Sequence, residues 1–229
     1  MDFTKFVAML ESQALFFARS DRLGDKFEGS YPLGNKLLRQ HTYESHEAAI
    51  GADPSELIKT HRSALAKWQR SWTFINCWHM NHAESAAMWR LYARSNEAIA
   101  IQSKFFRLIN VLDNDTYVGQ VEYIDFEQGY IPEGNVLHPF LHKRQSFSHE
   151  SEIRALCCKW PVNEAGIDIN AEPTAFGLEK HVNLHELIEQ VYVAPTADSW
   201  FRDLVRKVCL KYGLNKPIRQ SSLDADPFY

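Results

Sequence analysis

Several common signatures are missing from this sequence, and each gap removes a class of function. There is no GxxxxGK[ST] run, so the common backbone cradle for nucleoside triphosphates is absent. No GxGxxG follows a strand pattern, and no GxSxG places a serine at a hydrolase elbow. Cysteine is scarce: Cys77, Cys157, Cys158 and Cys209, with no CxxC spacing. Cys157 and Cys158 are adjacent on a strand pattern and so point to opposite faces. The four read as free, buried thiols of a reducing compartment. No apolar run approaches the ~20 residues that cross a bilayer. The opening MDFTKFVAMLESQALFF lacks the basic start and long apolar core of a signal peptide. A soluble, cytoplasmic protein with no membrane partner is expected. The net charge of −4 argues against broad nucleic-acid binding, which needs phosphates neutralised by Lys and Arg; it leaves room for a local basic groove.

What is present is a globular composition. At 229 residues and 45% hydrophobic, the chain can bury a substantial core. Phe3, Phe6, Val7 and Leu10 repeat at helical spacing behind Asp2, and Ala14–Ala18 is a compact apolar strand. Residues 30–52 read as irregular with one short helix. Asp53 and Pro54 then cap a basic helix running to Arg70. Trp72–Trp78 is a strand, Glu84–Arg94 a helix apolar enough to be buried between layers, and Glu97–Gln102 a strand. Lys104–Leu112 is a helix, Tyr117–Phe126 one alternating strand, and Pro139 opens a helix carrying Lys143 and Arg144. Ser151–Lys159 is a strand, and 160–179 a loop. Asn183–Glu189 is a short helix and Gln190–Ala194 a strand. Thr196 caps an amphipathic helix with Trp200, Phe201, Leu204, Val205, Val208 and Tyr212 inside, and Gly213 ends it. Lys216–Gln220 is a last strand. Strands and helices are interspersed without repeated crossover units. The expected fold is α+β: a single domain, residues 1–229, with a mixed, largely antiparallel central sheet flanked by helices.

Three stretches could carry chemistry. The loop Arg19–Gly29 holds six charged side chains at a strand end, including Arg19, Asp25 and Glu28, and loops there commonly build sites. The stretch Cys77–Gln102 supplies Trp78, His79, Trp89 and Tyr92, flat rings and a titratable group suited to stacking on a base or nicotinamide. The most specific is Glu150-Ser151-Glu152-Ile153-Arg154. On a strand, Glu150, Glu152 and Arg154 would share one face, an acid pair whose ionisation a neighbouring cation tunes. Lys143 and Arg144, just upstream, could hold anionic groups. Cys77, His79 and His82, or His138 and His142, lack the ligand count of a zinc site, so no metal is expected. Cys77 and His79 share a strand face but sit too far apart for easy proton exchange.

ALFFARSDRLGDKFEGS, FINCWHMNHAESAAMWRLYARSNEAIAIQS, the K-R-x-S-F-x-x-E-x-E-I-R run and SSLDADPFY together resemble the bacterial "domain of unknown function 2971" family across nearly the whole chain. Lys26 stands where relatives commonly have proline. The layout is also similar, more distantly, to ADP-ribosyltransferases: Glu150-x-Glu152 fits their late E-x-E strand, and Asn76 and Cys77 fit their middle one. Their early His or Arg strand has no counterpart here. The resemblance implies a nucleotide-handling enzyme with NAD as cofactor and Glu152, with Glu150, catalytic. Arg19 and Arg154 would hold phosphates, and Trp78 or Tyr92 would stack on the ring. Two alternatives stay open. One is a non-catalytic module of a phage-defence or toxin system that binds a nucleic acid or a protein through helix 54–70, Lys143 and Arg144. The other is an enzyme acting on a nucleobase in DNA or RNA.

Overall fold

The computed structural model describes residues 1–50, 55–93, 95–225 and 227, so the predicted cap at Asp53 and Pro54 lies outside the described residues. In chain order the elements are α1 (Phe3–Ser12), β1 (Ala14–Arg19), α2 (Leu33–Ile50), α3 (Ser55–Trp72), β2 (Thr73–His79), α4 (Ala86–Tyr92) and β3 (Ile99–Gln102). Then follow α5 (Phe105–Val111), β4 (Tyr117–Gln120), β5 (Glu122–Ile124), β6 (His142–Arg144), β7 (Glu152–Cys158), β8 (Val162–Asn163) and β9 (Gly166–Ile167). The last are β10 (Gly177–His181), α6 (Leu184–Leu187), β11 (Gln190–Val193), α7 (Ser199–Lys211) and β12 (Ile218–Gln220). Strands and helices mix along the chain and the pairing is mostly antiparallel, an α+β fold. No helix among the described residues is long and apolar enough to cross a membrane.

The chain divides into two compact units interleaved in sequence. Unit 1 is Met1–Phe16, Asn81–Asn114 and Glu179–Tyr229; unit 2 is Phe17–Met80 and Asp115–Leu178. Unit 1 holds the sheet β12-β11-β3, with β12 parallel and β3 antiparallel to β11. Its core includes Phe6, Leu10, Ile99, Val191, Phe201 and Val205, all at most 1% exposed. α7 turns Phe201, Val205 and Cys209 inward, four residues apart on one stripe. Trp200 and Leu204, expected beside them, lie outside that stripe and are exposed. Gly213, at φ +75, ends the helix as predicted.

Unit 2 is built on the sheet order β10-β1-β2-β7-β4, in which β1 and β10 each begin in one unit and end in the other. β7 is paired on both sides, by β2 and β4, both antiparallel. The register sets Ile75 opposite Leu156, Cys77 opposite Arg154, and His79 opposite Glu152. Cross-strand partners share a face. One face therefore runs from apolar to charged: Ile75 and Leu156 pack with Leu137 and Phe140, while Arg154 and Glu152 continue the row. The other face carries Phe74, Asn76 and Trp78.

Five expected elements come out differently. The stretch 160–179, expected as a loop, carries the short antiparallel pair β8–β9 and the first residues of β10. The polar stretch 30–52 contains the long helix α2, anchored where the Asn35 amide exchanges two hydrogen bonds with the backbone of Ile131. Tyr117–Phe126 is two strands, because at Val121 the backbone donates to Glu152 O and at Glu122 to Leu141 O, changing partners. Pro139 starts one 3-10 turn, His138–Phe140, and Lys143 and Arg144 lie on β6, parallel to β5. α4 is only seven residues, and none of them is buried.

Candidate functional site

The charged row on β7 is completed by residues from three other segments of unit 2. Arg154 is fully buried and donates to Glu28 through both terminal nitrogens, to Glu152 Oε2 from Nε at 2.7 Å, and to the Phe140 carbonyl at 2.7 Å. Glu28 arrives from the charged loop. Lys143, on β6, reaches across to Glu150 and to Glu152 Oε1 at 2.7 Å. Glu28, Lys143, Glu150 and Glu152 are each at most 9% exposed. Charges so buried persist only when paired and hydrogen-bonded.

Glu150 joins its partners by a turn and not by strand alternation. It ends the 3-10 turn Gln145–Glu150, and Ser151 then adopts a left-handed conformation, φ 41. That kink brings Glu150 back beside Glu152. Two contacts hold it: His79 Nδ1–H donates to the Glu150 carbonyl at 2.6 Å, and the Met80 N–H to the Ser151 carbonyl at 2.8 Å. A neutral His79 is thereby fixed with its proton on Nδ1. Its Nε2 is a buried acceptor with no hydrogen-bond partner among the described residues. The Glu152 N–H donates to the Tyr123 hydroxyl at 2.8 Å.

The environments drive the two glutamates apart. Burial pushes the Glu150 carboxyl up, its hydrogen bond with Glu152 adds to that, and Lys143 opposes without prevailing. Burial would push Glu152 up as well, but the Glu150 hydrogen bond and the Arg154 and Lys143 charges outweigh it and hold Glu152 well below the usual carboxylate range. Burial would lower Lys143; its hydrogen bonds to both glutamates reverse this and raise it. Burial also raises Glu28, against the pull of Arg154. The cluster contains two cations and three carboxyls. Of the Glu150–Glu152 pair, Glu150 is therefore the carboxyl that takes up a proton first as pH falls. Cys77 lies opposite Arg154 beside the cluster and, unlike the buried thiol expected, is exposed; Cys158 is half-buried, and only Cys157 and Cys209 are buried as expected.

The structure brings together Glu28, Lys143, Glu150, Glu152 and Arg154, with His79 supporting them, and leaves other expected residues elsewhere. Arg19 pairs with Phe74 across β1 and β2, and so lies on the opposite sheet face. There it binds Asp21 and the carbonyls of Pro173 and Ala175. Trp78 is also on that face, its indole donating to Asn76 at 2.6 Å. Asp25 and Arg144 form a two-toothed ion pair, with the guanidinium 4.6 Å above the Phe27 ring, and this closes the charged loop onto β6. Trp89 and Tyr92 belong to unit 1. Tyr123 and the Ser151 kink escaped the sequence reading; no spacing rule marks a tyrosine on one strand as partner to the backbone of another. Among the described residues no group of three His, Cys, Asp or Glu could hold a metal ion. No family model, curated protein or solved structure matches the chain.

Glu150→Gln has the hydrogen-bonding pattern of a protonated carboxyl, able to accept from Lys143 and donate to Glu152. A carboxyl raised on folding costs stability as pH climbs from its ordinary 4.5 through the raised value, because the folded chain holds the proton more tightly. The variant is therefore expected to be at least as stable as the parent at pH 8, with the advantage fading below pH about 4.5. Urea unfolding across pH measures this. A variant whose disadvantage grows toward pH 8 would mean that folding lowers the Glu150 pKa instead of raising it.

Proposed function

We propose that this protein is a nucleotide-handling enzyme of the ADP-ribosyltransferase type, using NAD, and that it belongs with the domain of unknown function 2971 proteins. The supporting observation is the Glu150–Glu152 pair: two touching carboxyls whose proton affinities their surroundings drive in opposite directions, the pattern by which acid–base roles are assigned. In this reading the carbon–nitrogen bond to nicotinamide breaks and Glu152 stabilises the oxocarbenium-like ribose. The acceptor bonds to that carbon, and its proton passes to Glu150, the more basic carboxyl of the pair. His79 and the Ser151 kink keep the pair in register. The phosphate-holding roles of Arg19, Lys143, Arg144 and Arg154 are not part of this reading, since each is engaged by a carboxylate.

Nicotinamide release from NAD tests the proposal. The parent should release it and be thermally stabilised by NAD. Glu150→Gln, which preserves the hydrogen bonds, and Glu152→Gln should each reduce release by about 10²-fold or more. A parent neither stabilised by NAD nor able to cleave it, or a fully active Glu150→Gln, would defeat the proposal.

A further inference from the structure

Unit 1 holds a cavity of about 370 Å³, within the range of small-molecule sites. It lies among α4, the turn at Ser95 and Asn96, the segment after β11, and Leu223. Trp89, Pro195 and Leu223 give it apolar wall; Arg90, Asn96 and Thr196 give it polar wall. Arg90 is the single charged residue of the lining. It is exposed, and it has no ion-pair or hydrogen-bond partner among the described residues. The Thr196 hydroxyl donates to Asn96 Oδ1 at 2.9 Å, which occupies the acceptor side of the amide and leaves its N–H₂ to donate. Both polar groups therefore favour an acceptor or an anion.

The aromatic wall is fixed. The Trp89 indole N–H donates to Glu84 Oε2 at 3.1 Å, and the other Glu84 oxygen accepts the Ser222 N–H at 3.4 Å. One carboxylate thus ties the Trp89 wall to the turn that carries Leu223. With its only polar atom engaged, the ring can offer the cavity nothing but π surface, which suits a flat partner. We infer that this cavity is a binding site for a planar ring bearing a phosphate or carboxylate, as in a nucleoside monophosphate or an aromatic acid. The ring lies against Trp89, and the anion takes Arg90 and the Asn96 amide. The site does not rest on the chemistry proposed for unit 2.

Calorimetry on the full chain with AMP, 3-hydroxybenzoate, adenosine and ribose 5-phosphate tests this. AMP or 3-hydroxybenzoate is expected to bind, and which of them does identifies the anion. Adenosine, a ring without charge, and ribose 5-phosphate, a charge without the ring, should each be weaker than AMP if AMP is the one that binds. Arg90→Gln, at an exposed position, should leave folding intact and weaken the anion by about tenfold. Trp89→Phe should retain binding that Trp89→Ala loses. Binding of neither anion, adenosine equal to AMP, or an affinity unchanged by Arg90→Gln would overturn the inference. The last result would also separate this site from any nucleotide bound in unit 2.

Discussion

Arg154→Met is expected to cost about 3–5 kcal/mol of stability at pH 7, the range for removing one partner of a buried ion pair. Arg154 is the largest fully buried side chain among the described residues, and its guanidinium serves Glu28, Glu152 and the Phe140 carbonyl together. Methionine fills much of the same volume but donates nothing. Glu28 and Glu152 would then face each other inside the protein with Lys143 as the remaining cation, and the Phe140 carbonyl would lose its donor. Urea unfolding of the single variant and of Arg154→Met with Glu28→Leu separates the contributions. The double variant should lose much less than the sum, because most of the single loss is the stranded Glu28 carboxylate. A loss below about 1 kcal/mol in the single variant would mean that Glu28 simply takes up a proton, so that the pair contributes little.

How far such a network can be read from sequence depends on which of its links are local. The E-x-E-x-R run was legible because its spacing is short and the strand around it is apolar; Glu152 and Arg154 share a face as strand geometry requires. Glu150 reached the right place for a different reason, a left-handed Ser151 that no periodicity signals. Lys143 was singled out as an anion contact, yet it neutralises the acid pair, since its strand runs parallel to β5 and beside the 3-10 turn. Arg19 illustrates the opposite limit. Its strand was legible, but which face it presents depends on the β1–β2 register, and a one-residue shift moves a side chain to the other side of the sheet. α4 misled because an apolar circumference predicts burial only if two layers enclose it. Here the helix is two turns long on unit 1, and Trp89 lines a cavity while Leu91 and Tyr92 are exposed.

The backbone beneath the network should be as sensitive as its charges. Gly29 follows Glu28 directly and sits at φ +66, where an L side chain costs about 1–2 kcal/mol. A Cβ there would lie 2.3 Å and 2.8 Å from two Phe140 ring carbons and 3.1 Å from Arg70 Cγ. The ring cannot swing aside: Phe140 is 1% exposed, packed with Ile75, Leu137 and Leu156, and its carbonyl holds Arg154. Forcing it costs a further ~1–3 kcal/mol of overpacking. Gly29→Ala should therefore destabilise by about 2–5 kcal/mol. Gly24, in the same loop, is the control, since a Cβ there meets nothing within 4 Å. Gly24→Ala should stay within about 0.5 kcal/mol of the parent. Any displacement of Phe140 also moves an acceptor of Arg154, so the Gly29 variant should shift the pH dependence of stability as well as its size, whereas Gly24→Ala leaves both alone. Equal, small effects at the two glycines would mean that the charged loop is not clamped against Phe140, and that Glu28 reaches Arg154 from a loose tether.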